Sequence, residues 1–72
     1  MEKLKYSLEI KVFGERIKNL RKEKNISQEI LASMCDLDVR SIQRIEKGVQ
    51  NVSLNVIYSL AKALEINASD LI

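Results

Sequence analysis

The sequence contains no histidine and no proline, and it has a single cysteine among its 72 residues. Without histidine, the chain lacks the commonest general base and the commonest metal ligand. Cys35 alone forms neither an internal disulfide nor a cysteine-rich zinc site, and we expect it to be a small apolar core residue. The only two glycines, Gly14 and Gly48, do not form a phosphate-binding loop. We therefore expect a protein that is not an enzyme and that needs no metal or cofactor.

Long apolar runs and secretory features are also missing. No apolar run approaches the roughly 18 residues that a membrane-spanning helix needs, and no basic segment followed by an apolar one marks a secretory signal. We expect a cytoplasmic, single-domain protein with no membrane partner. A domain this short buries only roughly 60% of the surface of its unfolded chain, so dimerisation would add useful burial.

Positive charge is concentrated in the first part of the sequence. Residues 1–28 hold eight lysines and arginines against four acidic residues, whereas residues 29–72 hold four against six. This distribution favours an anionic partner such as nucleic acid, although a merely solvated basic surface is the alternative.

The first 24 residues contain two different hydrophobic periods. Phe13, Ile17 and Leu20 step by four and three, which predicts a first helix over residues 12–24. Residues 1–11 instead predict a short strand or arm, because apolar and polar residues alternate there. Such a strand would have to pair with a second subunit; a frayed arm or an extension of helix 1 is the alternative. The alternating apolar residues are Leu4, Tyr6, Leu8, Ile10 and Val12.

Two short helices follow, separated by a very tight turn. Ser27 is a good N-cap for helix 2, which ends by Cys35, and Asp38 is a good N-cap for helix 3, which ends at Gly48. Asp36 lies in the turn and tolerates a left-handed backbone better than most residues do. The predicted inward residues are Ile30, Leu31, Ala32 and Met34 on helix 2 and Ile42 and Ile45 on helix 3.

The C-terminal third predicts two more helices. Helix 4 begins after Ser53 and ends near Leu64, and a short helix 5 is capped by Asn67 or Ser69. The fold class is therefore all-α, a five-helix bundle. Helix 4 is more apolar than one core requires, because Leu54, Ile57, Leu60, Ala61 and Leu64 already suffice to face the bundle. The remaining apolar residues predict a homodimer interface, and they are Val56, Tyr58, Ala63, Leu71 and Ile72.

The segment SQEILASMCDLDVRSIQRIEKG resembles the helix-turn-helix of the phage repressor/Cro-type (XRE) family. The resemblance extends upstream through FGERIKNLRKEKNI and downstream through LNVIYSLAKALEI, so that residues 12–72 would form the DNA-binding domain. It implies a repressor-like bundle whose third helix enters the major groove of DNA. Asp36 and Glu65 depart from the family, which often has glycine at these positions, and we expect local backbone strain there.

The resemblance also implies roles for individual side chains. The residues expected to read bases are Val39, Arg40, Ser41 and Arg44, because Ile42 and Ile45 must face the core. The residues expected to contact phosphates are Gln28, Gln43, Lys47, Gln50, Asn51 and Ser53. Arg21 and Glu46 match a buried ion pair of the family.

These features together predict a sequence-specific transcriptional regulator that binds double-stranded DNA. It would act as a homodimer on a palindromic operator, in the manner of a repressor or of the compact controller proteins of restriction-modification systems. No small-molecule ligand is expected. The alternative is an antitoxin-type interaction module that regulates its own synthesis through DNA binding.

Overall fold

The structure is a computed structural model that describes residues 5–72. Within these residues the chain is all-helical, with four α-helices: α1 (Ser7–Glu23), α2 (Gln28–Met34), α3 (Val39–Lys47) and α4 (Leu54–Ala63). A 3₁₀ turn, Ala68–Asp70, follows α4. No helix in this part of the chain is both long and apolar enough to cross a bilayer.

Three helices begin at the N-caps predicted from the sequence. The hydroxyl of Ser27 accepts a hydrogen bond from the backbone N–H of Ile30 at 3.1 Å, and that of Ser53 accepts one from Val56 at 3.2 Å. The carboxylate of Asp38 accepts from the N–H of Ser41 at 2.9 Å. Each bond satisfies an N–H group that the helix itself leaves without a partner.

All four helices end in the same way. A residue with positive φ follows each helix, and the next N–H turns back to a carbonyl five residues earlier. This is the Schellman arrangement, which satisfies the last carbonyls of a helix. Only one of the four positions is a glycine. The positive-φ residues are Asn25 (57°), Asp36 (56°), Gly48 (73°) and Glu65 (59°).

The predicted N-terminal strand is wrong over residues 7–11, where the chain is helical. The alternative, an extension of helix 1, is what forms there, and α1 begins five residues before residue 12. Leu8 and Val12 are four residues apart, a spacing that fits a helix face as well as an alternating strand. A lone strand would leave its backbone groups unpaired, whereas helix extension pairs them. Leu4, which belonged to both interpretations, lies outside the described residues.

The predicted fifth helix is also wrong, because only a three-residue 3₁₀ turn forms. Asn67 occupies the N-cap position but its side chain makes no capping bond. The turn is instead held from α1, where Arg16 Nη1 donates to the carbonyl oxygen of Asp70 at 2.5 Å. Leu71, immediately after the turn, is buried against the bundle.

The core lies between the helices and is built mainly from aliphatic residues. α1 packs closely on α3, since a β-carbon on Gly14 would overlap the carbonyl oxygen of Ile45. The largest fully buried side chains are Ile17, Leu31, Ile42, Ile45, Leu60 and Leu64.

Three predicted core residues are instead exposed. On α2, Leu31 and Ala32 are buried together with Cys35, and these residues form one stripe at helical spacing. Ile30 and Met34 lie about 100° around the helix from that stripe and are half exposed. Leu54, the first residue of α4, is 66% exposed.

Candidate DNA-binding surface

The turn between α2 and α3 consists of residues 35–38. Cys35 caps α2, Asp36 takes the left-handed conformation, and the N–H of Leu37 donates to the carbonyl of Ala32 at 2.9 Å. Asp38 then caps α3. The two helices therefore meet at a fixed corner, which leaves one face of α3 on the outside of the molecule.

α3 turns its isoleucines toward the core and its arginines toward solvent. Ile42 and Ile45 are fully buried, whereas Arg40 and Arg44 are exposed. The two arginines are four residues apart and so lie on the same face of the helix. Val39 and Ser41 are both partly buried, and Val39 packs against the core. Of the four residues predicted to read bases, the two arginines are therefore the most accessible.

Beneath this helix lies an ion pair between Arg21 and Glu46. Nε of Arg21 donates to Oε2 of Glu46 at 2.7 Å, and Nη2 donates to Oε1 at 3.1 Å. The side chains are only 11% and 4% exposed. Nη1 of Arg21 also donates to the carbonyl of Ile26 at 2.9 Å. The hydrogen bond to Glu46 raises the pKa of Arg21, so the guanidinium stays charged.

Gln28 joins the same network. Its side-chain nitrogen donates to Oε1 of Glu46 at 3.0 Å, which gives the carboxylate three hydrogen bonds. Gln28 is the first residue of α2 and remains partly exposed. Its amide group therefore lies between a buried charge and the molecular surface.

A polar concavity of about 450 Å³ opens beside this network, between α1, α2 and α3. It brings together three of the residues predicted to contact phosphate and adds Lys18, one of the eight basic residues of the first 28, to which the sequence assigned no individual role. Lys18 lies four residues after Gly14 and three before Arg21, on the side of α1 that meets α3. This spacing could have predicted the position of Lys18 from the sequence. The lining residues are Lys18, Gln28, Gln43, Glu46 and Lys47.

The other three predicted phosphate ligands lie in the loop between α3 and α4. Asn51 is exposed and Gln50 is partly buried. Ser53 is exposed, and its oxygen accepts the capping bond from Val56. Its hydroxyl proton therefore stays available to an acceptor from outside the chain.

The residues predicted to form a dimer interface are divided by the structure. Ala63 and Leu71 are buried within the monomer, and Val56 is partly buried. Tyr58 and Ile72 remain 64% and 83% exposed.

The exposed apolar surface also includes residues that the sequence analysis missed. Leu8 was assigned to the arm and Val12 to the start of the first helix, and on α1 both border an apolar groove of about 450 Å³. Phe13, Ile57, Leu71 and Ile72 line the same groove.

Comparison with known proteins identifies relatives over most of the chain. The model of the family described as Helix-turn-helix matches residues 17–71. The control protein C.BamHI of Bacillus amyloliquefaciens is 44% identical over 62 residues, which cover 85% of this chain and 76% of that protein.

Two solved structures share the fold. The restriction-modification controller protein C.AhdI from Aeromonas hydrophila superimposes with a TM-score of 0.89 at 38% identity, covering 96% of this chain and 100% of that one. The P22 c2 repressor, solved in complex with a synthetic operator, gives a TM-score of 0.79 at 28% identity, covering 83% and 91%.

Proposed function

The chain belongs to the Helix-turn-helix family and is a transcription regulator of the Cro/C1 (XRE) type, and from this premise we propose that it binds a palindromic operator as a homodimer. The observation that carries the proposal is the surface of α3, where Arg40 and Arg44 project outward over a buried Ile42 and Ile45. A helix with this division of faces fits the major groove, which is about 12 Å wide.

In this proposal the two arginines read bases. Each guanidinium matches the paired acceptors O6 and N7 of guanine and would bind them through two parallel hydrogen bonds. Val39, at the start of α3, would pack against a thymine methyl group. Ser41 is a further reader, with its backbone N–H already engaged by Asp38.

The polar concavity would hold the sugar-phosphate backbone beside the recognition helix. Lys18 and Lys47 supply positive charge, and Gln28 and Gln43 supply neutral donors. Glu46 also lines this site, but its charge is balanced by Arg21. Gln50, Asn51 and Ser53 would continue the contacts along the loop after α3.

Dimerisation would supply the second recognition helix. In a two-fold dimer, two copies of α3 would lie about 34 Å apart, one turn of DNA, and would read the two halves of a palindrome. The exposed apolar residues support this arrangement, since such surfaces mark interfaces. Those we assign to the interface are Leu54, Tyr58 and Ile72.

The biological role that we propose is that of a controller of a restriction-modification system. Two relatives named as control or controller proteins align with most of this chain, and one of them matches along its whole length. These relatives favour a controller over an antitoxin. The protein would then act by binding DNA in the cytoplasm, without catalysing a reaction.

The test is to select the operator and then remove the two arginines. Duplexes bound by the wild-type protein would be selected from a random pool, and the dissociation constant of the selected site measured by fluorescence anisotropy. Arg40→Ala with Arg44→Ala should keep the melting temperature and lose about 1–3 kcal/mol of binding free energy for each lost guanine contact.

Lys62→Ala is the matched control, because Lys62 is an exposed cation on α4 nine residues from Ser53, about 14 Å along the helix. It should bind the selected site as the wild type does. Wild-type protein that fails to bind any duplex at low salt would overturn the proposal, as would a double variant that keeps the same sequence preference.

A further inference from the structure

The first half of α1 lies directly against the end of α3. At Gly48, the left-handed residue that ends α3, a β-carbon would come within 2.6 Å of Cα of Lys11 and 2.7 Å of its Cγ. One turn further along α1, a β-carbon on Gly14 would likewise come too close to the backbone of Ile45 and Glu46. Because Gly14 and Gly48 have no side chain, α1 packs directly against α3. Lys11 therefore lies beside the start of the loop that follows Gly48.

Lys11 also lies in line with a second lysine of α1. It precedes Lys18 by seven residues, two turns of helix, so both lysines lie along one side of α1. Lys18 and Lys47 line the polar concavity. The stem of Lys11 lies against Gly48, so all three lysines belong to elements that meet at the C-terminal end of α3, where the negative end of the helix dipole also favours cations.

No carboxylate of residues 5–72 forms an ion pair with Lys11, although Glu15, one turn further along α1, lines a different concavity of the surface together with Lys11. The ion pairs formed within this part of the chain are Arg21 with Glu46 and Lys24 with Glu65, and neither involves Lys11. Lys11 is exposed, while its aliphatic stem lies against Gly48. The stem is thus anchored and the ammonium group is available to an external anion.

We infer that Lys11 binds a phosphate of the operator beyond those reached from the polar concavity, so that the first half of α1 forms part of the DNA-binding surface. This rests on the proposed function, because the loop after Gly48 is where the backbone of one DNA strand would pass. Lys11 would contribute affinity without sequence preference, since phosphates carry no direct sequence information.

Salt dependence of binding provides the test. Each phosphate contact contributes about 0.9 to the slope of log K against log [salt], so Lys11→Gln should lower the slope by about 0.9 per subunit. Affinity at 0.1 M salt should fall on the order of tenfold per contact, equally for the selected operator and for a random duplex. Lys11→Arg keeps the charge and should keep the wild-type slope.

Two controls separate this contact from effects on folding and from total charge. Lys11→Met keeps most of the stem that lies on Gly48 and should show the same loss of slope with a wild-type melting temperature. Lys62→Gln removes one charge from α4 and should leave the slope unchanged. If the wild type binds the operator but both Lys11→Gln and Lys11→Met keep the wild-type slope, the inference about Lys11 is overturned and the proposed function stands. If the wild type does not bind DNA, both are overturned.

Discussion

The side-chain amide of Gln28 donates to Oε1 of Glu46 at 3.0 Å, the same carboxylate that Arg21 holds through two hydrogen bonds. A buried ion pair thus orients a side chain at the surface. The amide nitrogen carries two hydrogens, and Glu46 uses one of them. The second is free to donate into the polar concavity. The ion pair therefore has a stabilising role and also prepares a donor for the phosphate proposed to bind there.

Changes at Gln28 should separate these two roles. Gln28→Ala removes one of three hydrogen bonds to Glu46 and should weaken operator binding by about 1.5–3 kcal/mol, the range for a hydrogen bond to a charged group, with a small change in melting temperature. Gln28→Glu places a second carboxylate beside Glu46 and should lower both the melting temperature and the affinity.

Anisotropy titrations and thermal melts of both variants provide the measurement. Gln43→Ala is the matched control, since Gln43 lines the same concavity but forms no hydrogen bond to Glu46. Its melting temperature should equal that of the wild type. Identical affinities for Gln28→Ala and the wild type would show that the amide does not contact DNA.

Removal of Glu46 should damage the fold before it affects recognition. Glu46→Ala leaves the guanidinium of Arg21 buried, with the carbonyl of Ile26 as its one remaining acceptor within residues 5–72. Stranding one partner of a buried pair costs about 3–5 kcal/mol of unfolding free energy. Urea denaturation followed by circular dichroism measures this loss. Lys24→Ala breaks the exposed pair with Glu65 and should leave the urea midpoint nearly unchanged.

The helix boundaries that depend on nearby residues were predictable from the sequence, and those that depend on distant contacts were not. Ser27, Asp38 and Ser53 cap their helices through bonds that span three residues, so residue type and position suffice. The start of α1 was missed because Leu8 and Val12 fit both a strand and a helix. The choice between them depends on contacts such as that between Lys11 and Gly48, 37 positions away in the chain.

The same distinction holds for the candidate site. The outward position of Arg40 and Arg44 follows from helical periodicity, and the structure has both exposed. The presence of Lys18 in the polar concavity and the bond between Gln28 and Glu46 depend on how α1, α2 and α3 are packed together. Ile30 and Met34 were predicted to share one inward stripe with Leu31, but the stripe of α2 that reaches the core is narrower and excludes them.

Asp38 predicts an acid-sensitive α3. Hydrogen bonds from Ser41 lower the pKa of this carboxyl below its ordinary value. A carboxyl whose folded pKa lies below its unfolded pKa adds stability that is present above about pH 4 and is lost as the pH falls through the folded pKa. Asp38→Asn keeps an acceptor oxygen but does not titrate, so its melting temperature should decline less between pH 5 and pH 2.5 than that of the wild type.

Thermal melts between pH 5 and pH 2.5 test this predicted decline in melting temperature. Asp36→Asn is the matched control, because the Asp36 side chain forms no hydrogen bond within residues 5–72 and its replacement should leave the wild-type decline in place. Lys24 similarly lowers the pKa of Glu65, so part of the decline should persist in Asp38→Asn. An Asp38→Asn curve parallel to that of the wild type would exclude the cap as a source of the acid sensitivity.

The proposed dimer depends on an apolar surface that the monomer leaves uncovered. Tyr58 is 64% exposed on α4, so replacing it removes little of the monomer core. Tyr58→Lys should convert the dimer to a monomer, with a small change in the melting temperature of dilute protein, because a buried charge opposite its symmetry mate disfavours association. Sedimentation velocity measures the change, and operator affinity should fall with it, since one recognition helix then binds alone.

Asn55→Lys adds the same charge at an exposed polar position of the same helix and should remain dimeric. A Tyr58→Lys variant that sediments as the wild type does would place the interface on another surface.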